Sequence, residues 1–224
     1  RCSRDWSSDV CSSDLIRKDI TFSGLVKFEP GAILNIADGI TATFTAGIDA
    51  GEQMIFSGPG HVAGLHTLRP EWFGAVGDGV TDDTAAFQKT LDSFGKGSIW
   101  KSNPGTRHQL LLRRTYLLGS VSADIGYLNI HSDNAWLIAK PEGEYPYLLR
   151  ITKQFCSITG YLSIEGSYNL GYECMLNINS RHFAADNVNI WRARLGWRFG
   201  SPEFGLINTA PGQSELGDSE IQIF

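Results

Sequence analysis

Short segments in which apolar and polar residues alternate recur along most of the chain. Between residues 16 and 66 these segments are separated by turn signals such as Pro30-Gly31 and Asp38-Gly39. Alternation with a period of two gives a strand one apolar face, so each segment predicts a half-buried β-strand. The pattern predicts a small β region over 16–66, and it fits either a solenoid or a sandwich.

A repeat of two strand types predicts stacked coils after Tyr127. Segments of the first type are apolar–polar–apolar and lie at residues 128–130, 162–164, 188–190 and 221–223. Segments of the second type precede three of them at a similar offset, at residues 149–151, 176–178 and 206–208. Two strand types in a fixed order predict a parallel β-helix from about residue 98 to 224, whereas a sandwich would alternate without keeping the offset.

The repeat also predicts which residues stack on one another. One inward column contains Leu128, Leu162, Val188 and Ile221, and the column beside it contains Ile130, Ile164, Ile190 and Ile223. The residues between them point outward, and they are Asn129, Ser163, Asn189 and Gln222. The next outward column contains His131, Glu165, Trp191 and Phe224.

One amphipathic helix is predicted over residues 81–94. Thr81 is the predicted N-cap, and Asp82 and Asp83 lie in the first turn, where the helix dipole favours negative charge. Its apolar stripe consists of Phe87, Leu91 and Phe94. Gly95 follows as the stop signal.

The first fifteen residues follow neither pattern. Residues 5–15, DWSSDVCSSDL, resemble a translated sequencing adapter. We therefore predict that residues 1–15 are an artefactual leader without packing contacts, the alternative being a native disordered leader. Without them only Cys156 and Cys174 remain, and this pair forms neither a disulfide framework nor a zinc-binding pattern.

Composition excludes several classes of protein. The chain has 224 residues, of which 42% are hydrophobic and 19% charged, and its net charge is −5. The apolar content is too high for a disordered chain, and the charge has the wrong sign for a general nucleic-acid binder. No apolar run is long enough to span a membrane. The sequence therefore predicts neither a nucleic-acid partner nor a membrane partner.

Residues 70–92, PEWFGAVGDGVTDDTAAFQKTLD, form the most specific motif of the chain. This segment resembles the entry segment of the pectate-lyase-like superfamily, the right-handed parallel β-helices that include rhamnogalacturonases, epimerase-like domains and phage tailspikes. The resemblance implies a head region over 16–66 and a β-helix over 67–224. Because the strand pattern stops in mid-strand at 221–223, the solenoid is expected to continue beyond Phe224. In one respect the chain departs from the family pattern, because residues between Pro104-Gly105 and Thr115-Tyr116 form an insertion in the first coil.

The resemblance also carries functional expectations. It implies a polysaccharide partner, an extracellular or virion location, and a homotrimer if the chain is a tailspike. The expected function is that of a fragment of a polysaccharide depolymerase, either a lyase or a glycoside hydrolase. The alternative is a non-catalytic β-helix that binds glycans or builds a virion fibre. No cofactor is expected, and Ca²⁺ is allowed by the resemblance alone.

The carboxylates of the motif have two interpretations. They could form an acid/base pair or a metal site, but a structural role fits better, because glycines suit a tight turn and acids complement a helix N-terminus. The structural interpretation covers Gly77, Asp78, Gly79, Thr81, Asp82 and Asp83. No metal site is predicted.

The outward columns contain the candidate substrate-binding residues. Aromatic rings stack on sugar faces and amides bind hydroxyls, which makes His131, Asn189, Trp191 and Arg192 the predicted sugar-binding residues. Glu165 is the one candidate catalytic carboxylate, and an ordinary solvated strand is the alternative. Because glycoside hydrolysis needs two carboxylates, this chain is expected to be inactive by itself.

Residues 181–200 combine basic and aromatic side chains. They include Arg181, Arg192, Arg194, Arg198, Trp191 and Trp197. Such a cluster could bind single-stranded nucleic acid or an anionic polysaccharide, or simply decorate the surface. The negative net charge argues against the nucleic acid, and the polysaccharide is favoured because Arg guanidinium groups pair with carboxylates.

Overall fold

The computed structural model of the chain is a right-handed parallel β-helix of about seven turns. It describes residues 9–10, 14–95, 107–169, 171–180, 182–199 and 221–223. Strands dominate these residues, and one α-helix lies among them. The predicted fold class, an all-β parallel β-helix with a small β head and one capping helix, is therefore confirmed.

The N-terminal coils consist of short parallel strands. The first ten strands are β1 (Asp9–Val10), β2 (Asp14–Ile16), β3 (Ile20–Phe22), β4 (Val26–Phe28), β5 (Leu34–Ile36), β6 (Thr41–Phe44), β7 (Ile48–Asp49), β8 (Phe56–Ser57), β9 (His61–Ala63) and β10 (Thr67–Leu68). The first nine pair in the orders β1–β4–β7, β2–β5–β8 and β3–β6–β9. Apolar residues oppose each other, as Ile16 and Ile36 do. This parallel stacking shows that the region is a solenoid and not a sandwich.

Part of the predicted leader joins these sheets. Asp9–Val10 pairs with β4, and Asp14–Ile16 pairs with β5. The prediction that residues 1–15 make no packing contacts is therefore wrong for these two segments, because their backbones extend existing parallel sheets. Residues 1–8 and 11–13 lie outside the described residues, and the artefactual origin stays a prediction.

The main coils begin after a 3₁₀ turn, η1 (Pro70–Phe73), and the helix α1 (Thr84–Asp92). Their strands are β11 (Asp78–Asp82), β12 (His108–Leu112), β13 (Thr115–Leu118), β14 (Val121–Ala123), β15 (Leu128–Ala139), β16 (Leu149–Ile151), β17 (Ser157–Glu165), β18 (Leu176–Ile178), β19 (Phe183–Ala185), β20 (Val188–Trp191), β21 (Trp197–Phe199) and β22 (Ile221–Ile223).

Each main coil contributes strands to three parallel rows. The first row contains β10, β12, the first half of β15, the first half of β17, β19 and β22. The second row contains β11, β13, the second halves of β15 and β17, and β20. The third row contains β14, β16, β18 and β21. We call the outward surfaces of the first two rows the first face and the second face.

The corner between the first and second rows is built by residues in the left-handed region. Asn134, Gly160 and Asn187 have φ values of 56°, 80° and 50°. Asn and Gly adopt this conformation more readily than other residues, so each coil can turn here within two or three residues. Because the corner is so short, β15 and β17 each run through it as one strand.

The predicted columns are correct in part. Leu162 stacks on Val188 and Ile164 stacks on Ile190, as predicted. However, Leu162 lies opposite Ala135 and not in a column with Leu128, and Ile221 lies opposite Phe183. Residues 128–130 and 221–223 belong to the first row, whereas 162–164 and 188–190 belong to the second. Both rows carry the same apolar–polar–apolar pattern, so the pattern could not separate them.

The third row was predicted more accurately. Strands β16 and β18 pair directly, as the second strand type predicts. The next strand in the row is β21 at Trp197–Phe199, and not the predicted segment 206–208, which lies outside the described residues. A single hydrophobic core runs along the described coils from Ile16 to Ala185. The division into a head over 16–66 and a β-helix domain over 67–224 stays a prediction.

The helix begins later than predicted. Its N-cap is Asp83, and the predicted N-cap, Thr81, lies in β11. The predicted apolar stripe is confirmed, since Phe87, Leu91 and Phe94 are all buried. No helix of the described residues is long and apolar enough to cross a membrane.

Helix α1 contacts coils on both sides of it. The Lys89 ammonium group donates a hydrogen bond to the carbonyl of Gly58 in the N-terminal coils. On the other side, the Gln88 amide exchanges two hydrogen bonds with the backbone of Ser122, at 2.8 and 3.0 Å. The helix therefore ties β14 to the turn that follows β8.

Candidate functional site

The motif at residues 77–83 has the geometry of a turn. Asp78 Oδ1 accepts hydrogen bonds from the backbone N–H groups of Val80 at 2.8 Å and Thr81 at 2.7 Å. These bonds, the one from Thr81 first, lower the pKa of the Asp78 carboxyl group. Gly77 and Gly79 have φ values of 67° and 75°, and a Cβ on Gly77 would lie 2.6 Å from the Cβ of Arg114. Glycine is therefore required for the turn to approach β13.

The other two carboxylates of the motif are also occupied by local contacts. Burial raises the pKa of the Asp83 carboxyl group, which accepts hydrogen bonds from the N–H groups of Val76 and Gly77 at 2.7 and 3.0 Å. Burial also raises the pKa of the Asp82 carboxyl group, but hydrogen bonds from Lys140 and Thr84 outweigh this effect, so the pKa of Asp82 is lowered. These contacts support the structural interpretation of the motif.

The structure separates the residues of the predicted binding column. Glu165 and Trp191 lie side by side on the second face, and Asn189 lies opposite Ser163. His131 lies on the first face opposite Thr159, so its predicted place beside Glu165 is wrong. The physical reason is the corner at Gly160, which moves Glu165 into the next row. Phe224 lies outside the described residues.

Glu165 is held by its neighbours. Its carboxylate accepts a hydrogen bond from the Ser167 N–H at 3.1 Å and lies 3.8 Å from the Arg192 guanidinium group. The Arg192 guanidinium group also lies 5.1 Å from the centre of the Tyr168 ring. Trp191 beside it is 54% exposed. The second face therefore presents one ion-paired carboxylate and one open indole ring.

No second carboxylate stands close to Glu165 in its register column. Within the described strands, that column runs through Ile138 and Leu117 to Asp82. Three strand spacings separate Asp82 from Glu165, which is about 14 Å. Paired carboxylates of glycoside hydrolases lie at most about 9.5 Å apart. The column therefore does not supply an acid/base pair.

The basic cluster at residues 181–200 is dispersed. Arg192 pairs with Glu165, and Arg198 donates a hydrogen bond to Glu173 at 2.7 Å. Arg194 lines a shallow pocket together with Glu144 and Glu173. Arg181 lies outside the described residues. The described arginines thus lie among carboxylates and do not form the continuous positive groove that a single-stranded nucleic acid requires.

A trench of about 560 Å³ follows the first face. Its lining residues are Thr67, Arg107, His108, Gln109, Tyr127, Leu128, Asn129, Phe155, Cys156, Ser157, Thr159, His182 and Ala184. The floor is a single register column, in which each residue lies opposite the next one on the neighbouring strand. Along the trench this column consists of Thr67, Gln109, Asn129, Ser157 and Ala184, and its register continues to Gln222 of β22. The trench therefore runs parallel to the axis of the solenoid.

Hydrogen bonds across the floor fix the amide of Asn129. Its Oδ1 accepts hydrogen bonds from the hydroxyl groups of Thr159 at 3.0 Å and Ser157 at 3.3 Å. Thr159 Oγ1 also lies 3.1 Å from His131 Nδ1, which can donate to it. With its oxygen engaged, Asn129 presents its NH₂ group as a donor. His131 therefore supports the trench floor, although it does not line it.

Stacked aromatic rings form one wall of the trench. Tyr127 and Phe155 stack with ring centres 4.9 Å apart, and Phe155 and His182 stack at 4.6 Å. Each of these residues precedes a strand of the first row and adopts the left-handed conformation, with φ values of 58°, 58° and 55°. Because the rings stack along the solenoid axis, their edges face sideways and give the trench an apolar wall.

The trench contains no acidic side chain among its described lining residues, whereas Arg107 is exposed there. Burial, with a smaller effect from His66, lowers the pKa of His108 to about 4, so its ring is neutral at pH 7. Its buried Nδ1 has no hydrogen-bond partner. The surface is therefore suited to hydroxyl-rich ligands, and it offers no carboxylate for acid/base chemistry.

The trench is not among the features predicted from the sequence, although one signal for it is present. Tyr127, Phe155 and His182 each come one or two residues before a strand of the first row. An aromatic residue that recurs at this position in three successive coils indicates a ladder on the solenoid surface. The first half of β17 was missed because Ile158 is its one aliphatic residue.

The two described cysteines are packing groups, although Cys156 also borders the trench. Cys156 and Cys174 are free and buried, and burial raises the pKa of each thiol to about 11. A thiol that stays protonated at neutral pH is a packing group. Within the described ranges, no three His, Cys, Asp or Glu side chains cluster as metal ligands do, and Ca²⁺ remains an expectation from the resemblance alone.

No protein-family model, no curated protein and no solved structure matches this chain. The pectate-lyase-like resemblance therefore stays a prediction. The structure itself establishes the parallel β-helix.

Proposed function

We propose that this protein is a glycan-binding β-helix and that the glycan lies in the trench of the first face. The observation that carries the proposal is the continuous column of hydroxyl and amide groups beside an aromatic wall. Sugars need hydrogen bonds for their hydroxyl groups and apolar contacts for their C–H groups, and the trench offers both side by side. It crosses four strand spacings, which is about 19 Å.

Binding without cleavage fits the residues better than depolymerisation does. Acid/base cleavage of a glycosidic bond requires a pair of carboxylates. The described trench has none, and Glu165 on the second face is paired with Arg192. A hydrolase activity of tailspike or secreted type is therefore not part of the proposal. A lyase activity, which needs a base beside a uronate rather than a carboxylate pair, is not part of it either. A polysaccharide met outside the cell or by a virion stays the proposed partner.

The first test compares two asparagines on different faces. Asn129→Ala removes a donor from the trench floor, and we expect it to weaken glycan binding about fivefold, the effect of one net hydrogen bond. The matched control is Asn189→Ala on the second face, which we expect to leave affinity within twofold. Binding is measured by titration calorimetry with ligands found on an array of neutral, acidic and amino-sugar glycans.

The opposite pattern would place the site elsewhere. If Asn189→Ala weakened binding and Asn129→Ala did not, the second face would be the binding surface. An array without any bound glycan, with the protein folded, would refute the proposed function.

The second test compares two aromatic residues. Phe155→Ala removes the middle ring of the wall, and we expect a loss of about 1–3 kcal/mol in binding free energy. Trp191→Ala should have almost no effect, although Trp191 is one of the sugar-binding residues predicted from the sequence. Circular dichroism of both variants controls for folding, and equal losses in the two variants would contradict the assignment to the trench.

A further inference from the structure

We infer that the trench selects straight glycan chains and holds four sugar residues, one on each polar coil. This inference rests on the proposed function and adds the shape and length of the ligand. It follows from the register of the floor, the register of the wall, and the position at which the polar floor ends.

The floor repeats with the spacing of the coils. Gln109 lies opposite Asn129, and Asn129 lies opposite Ser157, without a register shift. Neighbouring strands are about 4.8 Å apart, which is close to the length of one pyranose residue in an extended chain. Successive sugars of a straight chain therefore meet equivalent positions on successive coils.

The wall keeps the same register as the floor. His108 lies opposite Leu128, so Arg107 takes the place in its coil that Tyr127 takes in the next. By the same reasoning, Phe155 and His182 occupy the equivalent places beside Ser157 and Ala184. The sugars over Gln109, Asn129 and Ser157 thus each have one floor group and one wall group, and the sugar over Thr67 has the floor group alone. A curved chain would leave this straight track after one or two residues.

The contiguous polar floor ends at Ala184, and Gln222 of β22 lies one coil further in the same register. Thr67, Gln109, Asn129 and Ser157 each offer a hydroxyl or an amide, whereas Ala184 offers a methyl group. A fifth sugar would therefore gain no hydrogen bond from the described floor. We expect affinity to rise about fivefold with each added residue up to four, the fold-change of one net hydrogen bond, and not to rise with a fifth residue.

The experiment measures the affinity of the full chain for two glucose series by calorimetry. Cello-oligosaccharides of two to six residues are straight, and malto-oligosaccharides of the same lengths are curved, so the two series differ in linkage alone. If the array identifies a different sugar, the length series of that glycan is measured as well. We expect the straight series to bind more tightly and to reach its plateau at four residues.

Two variants test the count of subsites. Ala184→Ser adds a hydroxyl to the fifth coil, and we expect it to move the plateau beyond four residues. Ser157→Ala removes a hydroxyl from the fourth coil and should lower affinity for the tetramer about fivefold while leaving affinity for the dimer within twofold. Ser163→Ala on the second face serves as the control and should change neither plateau nor affinity.

The outcomes separate the inference from the proposed function. Equal affinity for curved and straight chains, affinity that does not change beyond the dimer, or a plateau unmoved by Ala184→Ser would overturn the inference. In each of these cases glycan binding itself would stand. If no glycan binds at all, the proposed function and the inference fail together.

Discussion

Gly160→Ala is expected to lower the free energy of unfolding by about 2–5 kcal/mol. The residue has a φ of 80°, a conformation that costs an L-residue about 1–2 kcal/mol. In addition, a Cβ at this position would lie 2.0 Å from the carbonyl oxygen of Ser132 on the neighbouring strand. The strands β15 and β17 would have to separate at the corner, and strain of this kind costs about a further 1–3 kcal/mol.

The matched control is Gly31→Ala. Gly31 has a similar φ of 86°, but no heavy atom lies within 4 Å of the position of its Cβ. It therefore carries the conformational cost alone, about 1–2 kcal/mol. Urea denaturation of both variants measures the difference. Equal losses of stability would show that the strands at the corner can move apart without cost, contrary to the close packing described here.

Tyr116→Phe should have the next largest effect, about 2–4 kcal/mol, because it removes the hydroxyl donor of a buried carboxylate. The Tyr116 hydroxyl donates to Glu71 Oε1 at 2.5 Å, and both residues are buried. Burial and the Glu71 carboxylate raise the pKa of the Tyr116 hydroxyl, so it remains a donor at all working pH values. Without the hydroxyl, the Arg114 guanidinium group, 3.7 Å away, is the described cation nearest to that oxygen.

A double-mutant cycle isolates this contact. In a Glu71→Gln background the acceptor is neutral, and we expect Tyr116→Phe to cost about 1 kcal/mol. Tyr172→Phe provides a second comparison, since its hydroxyl donates to the uncharged carbonyl of Leu118 at 2.9 Å. Additive losses in the cycle would mean that the carboxylate is solvated, in conflict with its burial.

Local patterns were enough to predict the class of the fold. Alternation identified the strands, and the stripe of Phe87, Leu91 and Phe94 identified the helix face that packs on the core. The prediction that Leu162 and Val188 share a column is correct because both residues belong to the second row and follow the same corner. Where residues share a row, the spacing of the pattern equals the length of the coil.

Register and site could not be predicted in the same way. Residues 128–130 and 162–164 have the same apolar–polar–apolar pattern but lie in different rows, and the distinction depends on backbone conformation at Asn134 and Gly160. Because the two rows were not distinguished, His131 was predicted to lie next to Glu165, whereas the neighbour of His131 in the structure is Thr159. The trench was not predicted because it depends on the register between coils, which cannot be inferred from a single amino-acid sequence.

The contacts of α1 on both sides have a mechanical consequence. In a simple solenoid each coil touches only its neighbours, so unfolding can start at one end and proceed coil by coil. Here Lys89 is hydrogen-bonded to Gly58 and Gln88 is hydrogen-bonded to Ser122, so the helix links the N-terminal coils to the coil that contains β14. A pulling force applied to the N-terminal coils would also act on β14. The N-terminal coils and the coil that contains β14 would therefore unfold together rather than one after the other.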